Sequence, residues 1–438
     1  MQNLILAIDQ GTTSTRAIVF DLEFRPRAIS QIPLEQHYPQ PGWVEHDAEA
    51  IWRATLQTCR EAIAEVGGPA DVASIGITNQ RETTVLWERA TGKPLHKAIV
   101  WQDRRTADVC ERLRAEGHEA AVEAATGLVL DPYFSATKIA WLLDAVPGAR
   151  TRAEAGELCA GTIDAYLIFR LTGGARFVTD ATNASRTLLA GLEERAWRSD
   201  LCALFNVPRA ILPEIVDCSG SLGETTPDLF GRAIPICGSA GDQQAALVGH
   251  AALRPGDAKA TFGTGCFLVA NVGDAPAHSR NRLLATLGYQ TPRRTAYALE
   301  GSIFSAGSAV QWLKEGLGVI GDSRQSEAVA QGLADNGGVY LVPGFTGLGA
   351  PWWEPEARGA VFGLTRDSTA AHLVRAGLEA LAYQTQDLLQ ALAADGAPAL
   401  TRLKVDGGVT ANGWAMQFLA DICGIPVERP AFQEMTAL

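Results

Sequence analysis

The residues able to do chemistry in this chain gather where short apolar runs end. Leu4-Ile5-Leu6-Ala7-Ile8 runs into Asp9-Gln10-Gly11-Thr12-Thr13-Ser14-Thr15-Arg16, so a carboxylate closes a strand just before a turn of small and hydroxyl residues. Backbone N–H groups in such a turn, with Thr and Ser hydroxyls, converge on an anion such as a phosphate. An Asp beside them can reach a magnesium ion or its water shell, or can simply stabilise the turn. A second small-residue turn, Gly263-Thr264-Gly265, separates Ala258 to Phe262 from Cys266 to Ala270. A third strand-to-glycine step is Leu403-Lys404-Val405-Asp406-Gly407-Gly408. The familiar nucleotide fingerprints fail: the third glycine of GxGxxG is missing, and Gly92-Lys93 is followed by Pro94, not by Ser or Thr.

Other candidates lie between strand-like runs. Asp242, in Ala240-Gly241-Asp242-Gln243-Gln244, stands where a helix should begin, which suits an N-cap as well as a reactive carboxylate. Arg81 and Glu82 sit between Ile75 to Thr78 and Thr84 to Trp87; taken alone they read as a solvated ion pair on a loop. Trp101-Gln102-Asp103-Arg104-Arg105 ends a strand in an aromatic and charges, and Asp131-Pro132-Tyr133-Phe134 is a rigid turn before a helix. The seven histidines show no metal-binding spacing.

The elements that must position these residues alternate between strand-like and helix-like along the chain, which predicts an α/β fold. Leu4 to Phe20 and Ala258 to Ala270 each read as a hairpin. With the turn signal Arg254-Pro255-Gly256-Asp257, this places a domain boundary near residue 250, giving halves 1–250 and 251–438 of duplicated design whose turns face a cleft. The spacing of Val374, Leu378, Leu381, Leu388 and Leu392 predicts a helix over 372–392 with Ser368-Thr369 as capping candidates, and another helix starts near Asn412.

Composition excludes several classes. The chain has 438 residues, 47% hydrophobic and 20% charged, with a net charge of −12, so it has ample core and no basic footprint for nucleic acid or anionic lipid. No apolar stretch reaches the roughly 18 residues of a membrane span. Eight scattered cysteines without a CxxC fit buried thiols in a reducing compartment, hence a cytoplasmic protein.

Taken in order, the motifs DQGTTSTR, PGWVEHD, GITNQRETT, WQDRRT, GLVLDPYFSATKIAWLLD, TDATNASRT, AGDQQAAL, FGTGCF, PGFTGLGAPWW, RGAVFGLTR and VDGGVTAN span essentially the whole chain. The sequence resembles the carbohydrate kinases, nearest to the glycerol kinases among them. The resemblance implies two actin-like, ribonuclease-H-like domains with a cleft between them and ATP-dependent phosphorylation of glycerol. It implies that Arg81, Glu82, Tyr133, Asp242 and Gln243 bind the triol, with Trp101 and Phe267 as apolar walls. Thr12, Thr13, Ser14 and Arg16 would surround the transferring phosphate, Thr264 would meet the ADP phosphates, and Gly307, Gln311, Gly408 and Asn412 would hold the nucleotide. Asp242 would be the general base, with Mg²⁺ near Asp9 and Asp242. Alternatives within reach of the same motifs are a kinase for another polyol or a ketose, and a nucleotide-gated regulatory protein. The resemblance is compatible with a homo-oligomer, dimer or tetramer. Relatives continue past Leu438 into further helices, so the second domain reads as truncated. Where some bacterial relatives carry a glycine-rich, Arg-ended loop that binds the inhibitor fructose bisphosphate, this chain has only Gly231-Arg232 after Asp228-Leu229-Phe230, which predicts insensitivity to it.

Overall fold

The computed structural model describes residues 3–432 and 434–438. Two compact units divide the chain: residues 1–245, 286–296 and 436–438 form the first, and residues 246–285 and 297–435 the second.

The first unit is built on a mixed six-stranded sheet. In spatial order its strands are Ser219–Glu224, Pro235–Gly241, Val72–Asn79, Leu4–Gln10, Ser14–Asp21 and Pro26–Pro33. The apolar run at the N-terminus is a central strand, and its antiparallel pairing with Ser14–Asp21 sets Asp9 opposite Arg16, which confirms the expected hairpin. On its other edge it pairs in parallel with Val72–Asn79, and that strand pairs in parallel with Pro235–Gly241. Parallel neighbours need a crossover. The first is the helix Ala48–Glu65, started by Asp47, whose carboxylate accepts from Glu49 N, and buried along Ile51, Trp52, Thr55, Cys59 and Ala62. The second connection, residues 80–234, includes Ala98–Ile99, Thr84–Glu88 and Leu158–Thr162, three strands of a four-stranded sheet whose fourth, Glu45–His46, lies earlier in the chain and pairs with Ala98–Ile99. One core joins the two sheets: Leu6, Ile8, Ile51, Ile75 and Ile77 pack in the same cluster as Trp87, Tyr166 and Phe169. Trp87 meets Tyr166, Phe169 and Phe177 edge-on at 5.4, 5.8 and 5.4 Å, the favoured aromatic geometry.

The other six-stranded sheet, on which the second unit is built, runs Leu284–Thr291, Arg294–Ile303, Cys266–Gly273, Ala258–Phe262, Leu403–Asp406 and Val427–Glu428, in that order, residues 286–296 of its first two strands being grouped with the first unit. Ala258–Phe262 and Cys266–Gly273 form the second expected hairpin. The long helix is Ala370–Ala394, two residues longer than expected at each end; at its start Thr369 and His372 form a reciprocal cap. All five residues of the foreseen stripe are buried. Asn412 caps the helix Gly413–Cys423 by accepting from Ala415 N at 2.8 Å.

The cysteines depart from the expectation in part. All eight are free and five are buried, but Cys218 and Cys423 are half-buried and Cys237 is exposed, because Cys237 occupies an outward position on its strand. Among the described residues no helix is long and apolar enough to cross a membrane.

Candidate active site

Asp9 and Asp242 end parallel-running strands of the first unit's sheet, at the edge where its turns cluster. The Leu4–Gln10 strand closes in the turn at Gly11, whose N–H donates to Ser14 O at 2.9 Å. Thr12 Oγ1 accepts from Trp101 Nε1 at 2.9 Å, Thr13 O accepts from Leu34 N, and Ser14 Oγ accepts from Gln31 Nε2 at 2.8 Å. The hydroxyl-rich turn is therefore held from outside, with Thr13 exposed. Arg16 Nη1 stands 4.0 Å from Asp9 Oδ2. Burial pushes the Asp9 carboxyl up to about 6; Arg16 opposes the shift and the negative charge of Asp242 adds to it. Two carboxylates thus lie in each other's field. Among the described residues no group of three or more His, Cys, Asp or Glu forms a ready-made metal cage.

Asp242 is the first residue of the helix Asp242–Gly249, directly after the Pro235–Gly241 strand. Its Oδ1 accepts from Gln243 N at 2.7 Å and lies 3.3 Å from Arg81 Nε. The Asp242 side chain is 26% exposed where Arg81 is 2%, so the guanidinium is fixed and the carboxylate is reachable. Arg81 Nη1 donates to Gln244 Oε1 at 3.3 Å, and Nη2 stands 3.5 Å from the Tyr133 hydroxyl. Tyr133 in turn meets Trp101 edge-on at 5.8 Å. Gly241 makes this possible: a Cβ there would sit 2.7 Å from Arg81 Cγ.

Arg81 and Glu82 are not solvated: both are buried. Glu82 is buried, with Oε1 accepting from Arg186 Nε at 2.7 Å. Arg186 is itself fully buried, its guanidinium carbon 5.1 Å from the ring centre of Phe134 and 5.4 Å from that of Tyr133. The Glu82 backbone is left-handed, φ 59°, an uncommon conformation for a residue with a side chain. Gln80, before this loop, donates to Gln10 Oε1 and Gly11 O at 3.1 and 3.0 Å, tying the loop to the first turn.

Beneath lies a polar framework. Asp180 Oδ1 accepts from Thr182 N and Asn183 N, and its Oδ2 accepts from Asn183 Nδ2 and Ser239 Oγ. Asn183 exchanges amide hydrogen bonds with Asn79, at the end of one strand, and Thr182 Oγ1 accepts from Gly241 N, at the end of the next. Burial raises the Asp180 carboxyl, and burial followed by the Asp180 charge raises that of Asp164 to about 7.

The second unit has its own cavity, about 320 Å³, and Thr264, Gly307, Gln311, Gly408 and Asn412 all line it. Its floor comes from the glycine turns: Gly307 N donates to Gly263 O, and Ala306 and Ser308 N donate to Thr264 O. Gly407, φ 91°, passes so close to the hairpin that a Cβ would sit 2.5 Å from Phe262 O. Asn412 Nδ2 donates to Ser326 Oγ at 3.1 Å. Phe267 belongs to this unit, on the Cys266–Gly273 strand opposite Thr261 and Ser302.

The candidates other than Phe267, which is not among the residues lining the cavity, therefore fall into two groups, one in each unit. Arg186, Gln244, Asp180 and, in the second cavity, Ser323, Arg324, Ser326 and Glu327 join them without having been singled out from sequence. Arg186 lies within the motif TDATNASRT, but its partner is far away in sequence, and no local pattern announces that pairing.

Comparison with known proteins agrees along the chain's length. Over 439 aligned residues the chain is 57% identical to glycerol kinase 1 of Pseudomonas aeruginosa, covering all of this chain and 89% of that protein. It is 58% identical to the glycerol kinase of Methylobacterium nodulans, again covering all of this chain and 88% of the relative. The crystal structure of Plasmodium falciparum glycerol kinase with ADP superimposes with a TM-score of 0.92 at 37% identity, covering all of this chain and 88% of that one. A xylulose kinase from Rhodospirillum rubrum gives 0.85 at 27% identity, covering 99% and 88%. Residues 4–249 match the N-terminal domain, and residues 258–438 the C-terminal domain, of a single family, and with its two-unit α/β architecture the chain belongs to the FGGY family of carbohydrate kinases.

Proposed function

We propose that this protein transfers the terminal phosphoryl group of ATP to a primary hydroxyl of glycerol, giving sn-glycerol 3-phosphate. The observation that carries the reading is the buried guanidinium of Arg81, fixed beside a reachable Asp242 and the Tyr133 hydroxyl, in a chain 56–58% identical to glycerol kinases over its whole length. A three-carbon triol presents hydroxyls to bind and a short hydrocarbon edge to cover. Arg81, Glu82, Tyr133, Asp242 and Gln243 supply the polar contacts and Trp101 supplies an apolar face. Polar site groups of this kind reject analogues lacking a hydroxyl, because the groups are then left unpaired in a buried setting.

The five assigned residues around the cavity of the second unit support ATP binding there. The first unit, residues 1–250 in this reading, then holds the polyol, and residues 251–438 hold the nucleotide. Thr12, Thr13, Ser14 and Arg16 are assigned to the transferring phosphate, as a turn of amides and hydroxyls beside a cation suits an anion.

Asp242 is assigned as general base. A carboxylate is far too weak to ionise an alcohol beforehand. In a loose phosphoryl-transfer transition state, however, charge resides on the transferring group, so the base chiefly orients the hydroxyl and accepts its proton late. The Arg81 contact and the Gln243 amide hold Asp242 in one orientation for this. Asp9 and Asp242 fit Mg²⁺: they are two carboxylates in mutual repulsion, with no third His, Cys, Asp or Glu grouped with them among the described residues, and Mg²⁺ typically keeps waters and takes one or two carboxylates plus phosphate oxygens. When bound, the ion would neutralise phosphate charge. ATP consumption measured against a panel of polyols and ketoses tests the reading. Strict dependence on glycerol is expected; turnover without a polyol, or preference for a ketose, overturns it.

A further inference from the structure

Lys138 is a fully buried cation outside the set assigned above. An ammonium has three donors and no acceptor. Here Nζ lies within hydrogen-bond range of three main-chain oxygens: Tyr133 O, Phe134 O at 3.1 Å and Glu82 O at 3.4 Å. Two of these belong to the turn that carries Tyr133, and the third to the loop that carries Arg81 and Glu82. The helix Ser135–Ala145 delivers Lys138 one turn after its own first residues, so the cation closes back onto the turn preceding its helix.

The third oxygen matters most. Glu82 O gathers three donors, from Lys138 Nζ, Ser135 Oγ at 3.2 Å and Thr84 Oγ1 at 3.0 Å, and the residue behind it has a positive φ. A left-handed backbone at a residue with a side chain persists only where its surroundings over-determine it. Arg81 adjoins this residue, and its side chain meets Asp242, Gln244 and Tyr133 only if the loop keeps that turn. An apolar side chain of equal length in place of Lys138 would take the ammonium from Tyr133 O and Phe134 O and cut the donors at Glu82 O from three to two, which loosens both segments at once.

We propose that Lys138 is a positioning residue for the polyol: by bridging the 131–134 turn and the 80–83 loop through their main-chain oxygens, it sets the separation of Tyr133 from Arg81 and Glu82. This rests on the polyol-site reading above. The effect belongs to the polyol and not to the nucleotide, because Lys138 does not line the second unit's cavity, and the three oxygens it meets, of Glu82, Tyr133 and Phe134, lie outside the 12–16 turn assigned to the transferring phosphate.

The test is steady-state kinetics and thermal melting of Lys138→Met and Ser135→Ala beside the wild type. Lys138→Met should raise the glycerol KM about tenfold or more, the equivalent of one charged hydrogen bond, with the MgATP KM within about twofold. Ser135→Ala removes one neutral donor from Glu82 O and should raise the glycerol KM about two- to threefold with the same selectivity. A lysine with only a structural role would lower the melting temperature and the active fraction while leaving both KM values alone; that result, or both KM values rising together, overturns the proposal. If Lys138→Met does not fold, Ser135→Ala decides by the same criterion. Wild-type activity on glycerol tests the reading itself, while the variant-to-wild-type ratio, taken with whichever polyol the wild type accepts, tests Lys138.

Discussion

Arg81 lies between strand-like runs of the sequence, and in the fold its buried guanidinium stands 3.3 Å from Asp242. Its position between strand-like runs, and that of Glu82, Tyr133 and Asp242, was legible because each lies at an element end within a motif. That Arg81 faces Asp242 while Glu82 faces Arg186 was not, since those pairings join residues far apart in the chain and depend on how two sheets meet. Two outcomes follow. Asp242→Asn should lower kcat by about 10²- to 10⁴-fold, the usual contribution of a positioned base, while calorimetric titration still shows glycerol binding. Arg81→Ala should weaken glycerol binding by about 1.5–3 kcal/mol and leave ADP affinity unchanged, as the assigned nucleotide residues lie in the second unit's cavity. Asp9 gives a pH signature. Its carboxyl keeps a proton to about pH 6 in the folded protein against an ordinary value of 3.8, so across that window the folded state binds more protons and metal-free stability falls as pH rises. Asp9→Asn should remove this slope. Its urea midpoint should then exceed the wild type's at pH 7 and converge with it near pH 4.

At the scale of elements, both hairpins, the long helix and the helix start near Asn412 followed from apolar periodicity and turn chemistry, which are local signals. The four-stranded sheet did not. Two of its strands, Glu45–His46 and Ala98–Ile99, are only two residues long, too short to show a period. The framework around Asp180 was equally silent, because its polar residues read locally as helix caps and turn formers. Its effect is to bind together the ends of two adjacent strands, at Asn79 and at Ser239 to Gly241. The strand-to-helix step at Gly241 tests this tight fit. A methyl group 2.7 Å from Arg81 Cγ cannot be absorbed by a side chain whose guanidinium is already paired, so Gly241→Ala should raise the glycerol KM and lower the melting temperature together.

At the scale of the whole molecule, the expected insensitivity to fructose bisphosphate rests on the segment that ends in Arg232. The segment around Arg232 is a one-turn helix, Pro227–Phe230, with Phe230 buried, and Arg232 donates to Ala233 O and Ala70 O at 3.2 and 3.1 Å. A guanidinium already turned onto main-chain oxygens, without a run of glycines beside it, is poorly placed to catch a bisphosphate. The kinase should therefore be unaffected by millimolar fructose bisphosphate; saturable inhibition lost in Arg232→Ala would show otherwise. The long excursion inside the first sheet has a consequence for how the protein is made. Ile75 lies beside Ile236, and everything from residue 80 to 234 must leave the ribosome between them. At about 5–20 residues per second, translation leaves the edge of the Val72–Asn79 strand without its neighbour for many seconds. An exposed strand edge invites pairing with other chains. The nascent protein is therefore most prone to aggregate in the interval before the strand that delivers Asp242 arrives, and slower translation between these two strands would lengthen that interval.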